Sequence, residues 1–283
     1  MNSRTNTYLV VILLAAFIVI GWAKDENRDV EQGVTKETST AEAQQQNSTE
    51  TARRMWALGC SAVLVERNHG RHNLLGTDFR TPGNIQEMRD FLAQGSGWDI
   101  KNRLDLFDSL RWFDNGGNRE KFGRLGRLLK TFNEQEYKEF LRKHESDQQM
   151  LQRIRVAKQY YEKLGSKSLL GWDYSRYICL CRWGYMAGYI SEQEAWELIM
   201  PVARILQAAF DSWQDLGRNY IIGRSFWSYE KTIEEGHLFE DVYHRLVDMK
   251  SSPWNMYPWD MDLTGTQVIS ESNETDMAEK GGM

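Results

Sequence analysis

The chain is poor in the residues that interrupt or staple a backbone. Four prolines in 283 residues suit long helices better than a loop-rich β-sandwich. The three cysteines, Cys60, Cys179 and Cys181, are an odd count without framework spacing, which argues against a disulfide-stapled secreted fold. On a helix Cys179 and Cys181 diverge by about 200° and cannot pair without unwinding it, so they read as ordinary buried thiols. Signature motifs are missing as well: the sequence contains no H-E-x-x-H, P-loop, G-x-S-x-G or dinucleotide fingerprint, and so gives no catalytic residue by motif. His69, His72 and Asp78 offer two or three weak ligands where zinc needs three or four convergent ones. No metal and no cofactor is expected.

Aromatic residues are plentiful, at 12% with eleven tryptophans, and the length leaves ample capacity for a buried core. The formal charge of −5 belongs to the ends. Residues 24–50 hold three bases and seven acids and residues 260–283 one base and six acids, while 51–259 hold 30 bases and 27 acids. Segments of that composition cannot bury enough apolar area to offset their ordering entropy. Residues 24–51 therefore read as a disordered acidic and polar tether, 264–283 as a disordered acidic tail, and 52–263 as the folded domain.

Leu9 to Ala23, LVVILLAAFIVIGWA, is an uncharged apolar run. As a helix it spans about 22 Å, short of the roughly 30 Å hydrocarbon core. Residues 1–23 thus read as a signal peptide or a membrane anchor. Gly21-Trp22-Ala23 has the small residues of a cleavage site, whereas Tyr8 and Trp22 sit where interfacial aromatics hold a spanning helix. Arg4 precedes the run and Lys24, Arg28 and Lys36 follow it. Bases alone favour a cytoplasmic domain; the short n-region and cleavage-like motif favour export, and the exported, periplasmic side is the expectation.

Within 52–263 apolar spacing is helical and no run alternates with period two, so the fold class is all-α: one multi-helix globular domain with a Trp-rich core. Ala52–Arg67 reads as one helix, Ile85–Ala93 and Ile100–Asn115 as short ones, and Gly116-Gly117 as a break before Arg119–Phe132. Glu134–Lys143 and Gln148–Leu164 follow. Leu169–Ala187 places Trp172, Arg176, Cys179, Leu180, Trp183 and Ala187 on one face. Ser191 with Glu194 is a capping box, and Ser212 with Asp215 resembles another. The helix from Ser212 is expected to stop at Gly223, and Glu230 to Asp248 forms the last.

Arg176 is the residue out of place, since Trp172, Arg176, Cys179 and Trp183 fall within about 60° of arc. A buried guanidinium needs a partner; Asp173, Asp211 and Asp215 are candidates, in a structural ion pair or an anion clamp. Arg224, beyond the expected stop at Gly223, reads as a helix-end cap or a ligand contact. Asp173 with Asp211 or Asp215 would supply the carboxylates for hydrolysis, although Glu194 and Asp215 already have capping duties. Residues 119–167 carry 13 Lys or Arg against seven acids, with Phe122, Phe132, Tyr137, Phe140, Tyr160 and Tyr161 at helical spacing. That pattern reads as solvated faces over a core, and no nucleic-acid partner is expected.

The stretches Gly171-Trp172-Asp173-Tyr174-Ser175-Arg176 and Arg182-Trp183-Gly184-Tyr185-Met186-Ala187-Gly188-Tyr189-Ile190 resemble a bacterial family, domain of unknown function 1266. So do Glu194-Ala195-Trp196, Asp211-Ser212-Trp213 and Asn219-Tyr220-Ile221-Ile222-Gly223-Arg224-Ser225-Phe226-Trp227, with Pro253-Trp254 and Pro258-Trp259 closing the pattern. The resemblance implies a single helical domain over 52–263 and no activity. The resulting expectation is a non-catalytic binding or interaction module at the membrane or in the periplasm, with a protein partner of the immunity or envelope-stress kind. The alternative is an enzyme of hydrolytic type using carboxylates near Arg176.

Overall fold

Most of the described helices begin where a small polar side chain can close the first turn. In a computed structural model, which describes residues 44–76 and 80–264, Thr81, Asn102, Asn133, Asp147, Ser191, Ser212, Ser228 and Ser252 each accept a backbone N–H from the turn that follows. Such caps satisfy donors that a helix leaves orphaned. The hydrophobic run Leu9–Ala23, the tether up to residue 43, Asp78 and the tail from 265 lie outside the described residues. Ser48–Met283 forms one unit, and no strand occurs among its described residues.

In chain order the helices are α1 (44–59), α2 (Ala62–Arg67), α3 (Pro82–Asp90), α4 (Arg103–Asp114), α5 (Gly117–Lys130) and α6 (Glu134–Lys143). They continue as α7 (Gln148–Leu164), α8 (Leu170–Met186), α9 (Glu192–Ala209), α10 (Trp213–Trp227), α11 (Tyr229–Asp248) and α12 (Pro253–Met256). A wider π turn, Phe91–Gly95, continues α3. Among the described residues no helix is long and apolar enough to cross a membrane.

Helix α8 is the axis of the fold. It packs against α2, α3, α4, α5, α9 and α10, and every residue from Gly171 to Arg182 is buried. The single buried face expected for this helix is therefore too narrow. A helix enclosed on all sides buries its polar residues too, and each of these is bonded: Ser175 donates to the Cys60 carbonyl at 2.7 Å, and Asp173, Arg176 and Arg182 are described below.

Three other expectations are corrected. Residues 44–51, assigned to the tether, are already helical. Ala52–Arg67 is two helices, because the carbonyls at the junction are taken by side chains: Leu58 O by Ser61 Oγ, Gly59 O by Trp254 Nε1, and Cys60 O by Ser175. Gly223 does not end α10, which runs on to Trp227. It sits inside the helix because a Cβ there would collide with Trp172 of α8; it is a packing glycine.

The tryptophans close the two ends of the domain on each other. Trp56 of α1 meets Trp213 at 4.6 Å and Trp259 at 5.0 Å, and Trp213 meets Trp259 at 4.8 Å. Their indole N–H groups are all satisfied by the partner segment: Trp56 donates to Pro258 O, Trp213 to Tyr257 O and Trp259 to Phe210 O. Tryptophan suits this position because it buries a large apolar ring and leaves one donor to place.

Candidate functional site

The residues singled out from sequence fall into three separate places. The first centres on Asp173, which is fully buried. The Gly116-Gly117 break lets the chain turn sharply enough for α5 to aim its first N–H groups at this carboxylate. Gly117 has φ +51°, and a Cβ on it would stand 2.6 Å from Asp173 Oδ2; only glycine meets both demands. Asn118 N and Arg119 N donate to Asp173 at 3.3 and 3.1 Å, so Asp173 is the N-terminal cap of α5 delivered from another helix. Arg119 Nη1 adds a contact at 3.4 Å and Arg176 Nη2 one at 2.8 Å.

Arg176, 7% exposed, is fixed on all sides. Its Nε donates to Trp172 O at 3.2 Å. The Asn118 amide, with its oxygen turned inward, accepts from Arg176 Nη2 at 2.9 Å and from Trp172 Nε1 at 3.2 Å. The guanidinium carbon lies 4.0 Å from the Trp172 ring centre, 5.0 Å from Phe113, 5.4 Å from Trp98 and 5.9 Å from Trp112. Burial lowers the Arg176 pKa from its ordinary value, and the Asp173 carboxylate opposes that shift. This is a closed ion pair boxed by rings.

Asp211 and Asp215 are elsewhere and share Lys167 Nζ, whose pKa the two carboxylates raise. Asp215 Oδ2 also accepts from Asp211 N at 3.2 Å while Ser212 Oγ accepts from Asp215 N at 3.1 Å. The capping role expected of Asp215 is present with its return bond one residue earlier. Arg224 forms the third place. It lies in the last turn of α10, donates to Lys231 O at 2.9 Å and Glu235 Oε2 at 3.0 Å, and stands 3.9 Å over the Phe239 ring. It ties α10 to α11 and does not join Arg176. Neither Asp211 nor Asp215 joins the hydrogen-bond network of Asp173.

A fourth place was not singled out from sequence. A cavity of about 600 Å³ lies between α2, the loop that follows it, α3 with its π turn, and α8. Its described lining includes Arg67, Arg71 and Arg182 but no aspartate or glutamate. Val65, Met88, Phe91, Trp183 and Met186 supply an apolar wall, with Phe91 and Trp183 edge to face at 5.3 Å. Arg182 is 5% exposed and grips the loop after α2: Nη2 donates to Arg71 O at 2.6 Å and Leu74 O at 2.7 Å, Nε to Leu75 O at 3.4 Å, and Nη1 to Ser61 Oγ at 3.1 Å. All four acceptors are neutral, so no carboxylate among the described residues pairs with it, and burial lowers its pKa. Cys179, also in the lining, has its thiol pushed up to about 11 by burial, which keeps it protonated and inert.

Among the described residues no group of three or more His, Cys, Asp or Glu side chains could hold a metal ion. His69 and His72 do not converge: His72 Nε2 pairs with Glu66 at 2.8 Å, while His69 lines the cavity with φ +54°.

Residues 95–259 match a family model described as "Protein of unknown function (DUF1266)". No curated protein and no solved structure matches the chain.

Proposed function

The chain belongs to the DUF1266 family, whose description carries no activity, and we propose that it is a non-catalytic binding module that takes its ligand in the cavity between α2, α3 and α8. The observation that carries this reading is the cavity itself. Its volume of about 600 Å³ is that of ligand sites, which run to roughly 300–1,000 Å³ and combine an apolar wall with a few polar groups. It lacks the parts of a hydrolase: its described lining has no carboxylate, and its one thiol is held protonated. The acids considered for catalysis are spent elsewhere, Asp173 as the cap of α5 and Asp211 and Asp215 on Lys167. The N-terminal apolar run would present the domain at a membrane or on its exported side.

A thermal-shift screen of small molecules on the full-length chain tests the binding reading. A ligand at one hundred times its Kd stabilises by about 2.7 kcal/mol, a shift of roughly 5–10 °C for a domain of this size. Met88→Trp, which fills the cavity, should remove that shift. Turnover of an ester, phosphoester or glycoside that is lost in Asp215→Asn would overturn the reading in favour of an enzyme. Protease added to spheroplasts should digest residues 52–263; complete protection would refute export.

A further inference from the structure

We propose that the ligand of this cavity is an anion, an oxyanion head of phosphate or carboxylate type on an apolar body. The inference rests on the cavity being the binding site and adds the chemistry of what enters. Two guanidiniums, of Arg67 and Arg182, stand in a lining whose described residues include no acid. Buried charge is ordinarily balanced by a paired opposite charge, and neither of these has one among the described residues. Arg182 is met only by three carbonyls and a hydroxyl. Arg67 has a buried Nε with no hydrogen-bond partner.

The surroundings of Arg67 add positive charge. Its guanidinium approaches the Phe239 ring at 5.9 Å, the ring on which Arg224 sits at 3.9 Å, and the two like charges repel. Nearby acids are committed: Glu66 to His72 and Arg245, Glu235 to Arg224. Placing Arg67 and Arg182 at a cavity without a paired carboxylate among the described residues carries a cost that an incoming anion relieves. Guanidinium is also the side chain best matched to the two oxygens of a carboxylate or phosphate. The apolar wall of Phe91, Trp183, Met88 and Met186 then sets the rest of the ligand as hydrophobic and excludes a bare inorganic ion as the best fit.

The test compares probes that differ in head and source on the full-length protein. Phenyl phosphate and benzoate should raise Tm and bind in calorimetry, inorganic phosphate should bind more weakly, and uncharged benzyl alcohol should do neither. Binding should weaken as salt is added. Dihexanoyl phosphatidic acid, kept below its micelle concentration, serves as the lipid probe beside dihexanoyl phosphatidylcholine. Selective, tighter binding of the phosphatidic acid would identify a lipid headgroup as the source of the anion. Tighter phenyl phosphate would identify a soluble ligand.

Arg67→Gln should lower affinity for phenyl phosphate by about ten-fold or more while leaving the ligand-free Tm unchanged or raised, since it removes a half-buried guanidinium whose buried Nε has no partner. Arg67→Lys should retain part of the affinity and serves as the folded control. Equal binding of benzyl alcohol, or unchanged phenyl phosphate affinity in Arg67→Gln, would overturn the anion and leave the cavity reading standing. Failure of every probe and of the wider screen would overturn both.

Discussion

Replacing Arg176 by alanine opens the ring-boxed ion pair, and its cost can be worked from the contacts. Removing one partner of a buried pair costs about 3–5 kcal/mol when the other charge is left alone. Asp173 is not left alone, since it keeps Arg119 at 3.4 Å and the N–H groups of Asn118 and Arg119. The electrostatic loss therefore falls at the low end, about 3 kcal/mol. Losing a desolvated cation from the Trp172 face, 4.0 Å away, adds about 1–2 kcal/mol. Arg176→Ala should thus cost about 4 kcal/mol, a large share of the 5–15 kcal/mol that holds a typical domain. Arg176→Lys keeps the charge but loses the Nε bond to Trp172 O and the planar stacking, and should cost about 2 kcal/mol. Urea melts followed by circular dichroism measure both, with unchanged m-values as the sign that only stability moved. An Arg176→Ala protein as stable as wild type would refute the reasoning and make this pair, not the arginine cavity, the first place to look for a ligand.

Gly223→Ala should destabilise by about 1–3 kcal/mol or more through collision with Trp172, whereas Gly236→Ala in α11, whose nearest neighbour would be 3.6 Å away, should stabilise by up to about 1 kcal/mol; thermal melts separate them. Glu194 is held down to about 2 by Arg103 and by the Ser191 backbone and hydroxyl, from an ordinary 4.5. Its contribution is present in full above that ordinary value and is lost as pH falls toward about 2, so the Tm difference between wild type and Glu194→Gln should shrink across that window and stay constant above it. Iodoacetamide at neutral pH should leave Cys60, Cys179 and Cys181 unmodified in the native protein, since all three are buried and burial raises each thiol; denaturant should expose all of them to alkylation seen by mass spectrometry. Trp213→Ala should cost about 3–5 kcal/mol, because it removes the ring that both Trp56 and Trp259 pack on.

What could be read from sequence was local. The Ser191–Glu194 box spans three residues and forms with both reciprocal bonds, and Asp173 meets Arg176 one turn away on the same helix. What could not be read was long-range. The break between α1 and α2 depends on Ser175 and Trp254, 115 and 195 residues distant from the carbonyls they bind. Gly223 looks like a stop by its type, and only the nearness of Trp172 makes it a packing position. Asp211 and Asp215 are conspicuous charges, yet their partner Lys167 lies 44 and 48 residues away. Arg182 falls off the helical face that carries Trp172, Arg176 and Trp183, so periodicity alone does not mark it as buried. One signal was available: it is the only charged residue between Arg176 and Glu192, which is what an arginine inside an enclosed helix looks like.

The family match and the cavity divide the protein differently, and the division has a consequence. The stretches that carry the family resemblance are those that hold α8 to α10. Gly171 N donates to Asn219 Oδ1 at 2.9 Å, Asn219 Nδ2 returns to Ser168 O at 2.7 Å, Trp172 fills the gap left by Gly223, and Asp173 with Arg176 caps α5. These are conditions for folding, and a match to them certifies a fold without naming a ligand. Of the described cavity lining, that region supplies Cys179, Arg182, Trp183 and Met186. The other lining residues, including Arg67, Arg71, Met88 and Phe91, precede residue 95, where the match begins. The family match therefore covers the part of the chain that holds Arg182 and stops short of the other residues that line the cavity. On the binding reading proposed above, the search for a ligand belongs with residues 62–94 against α8, since the family match begins only at residue 95.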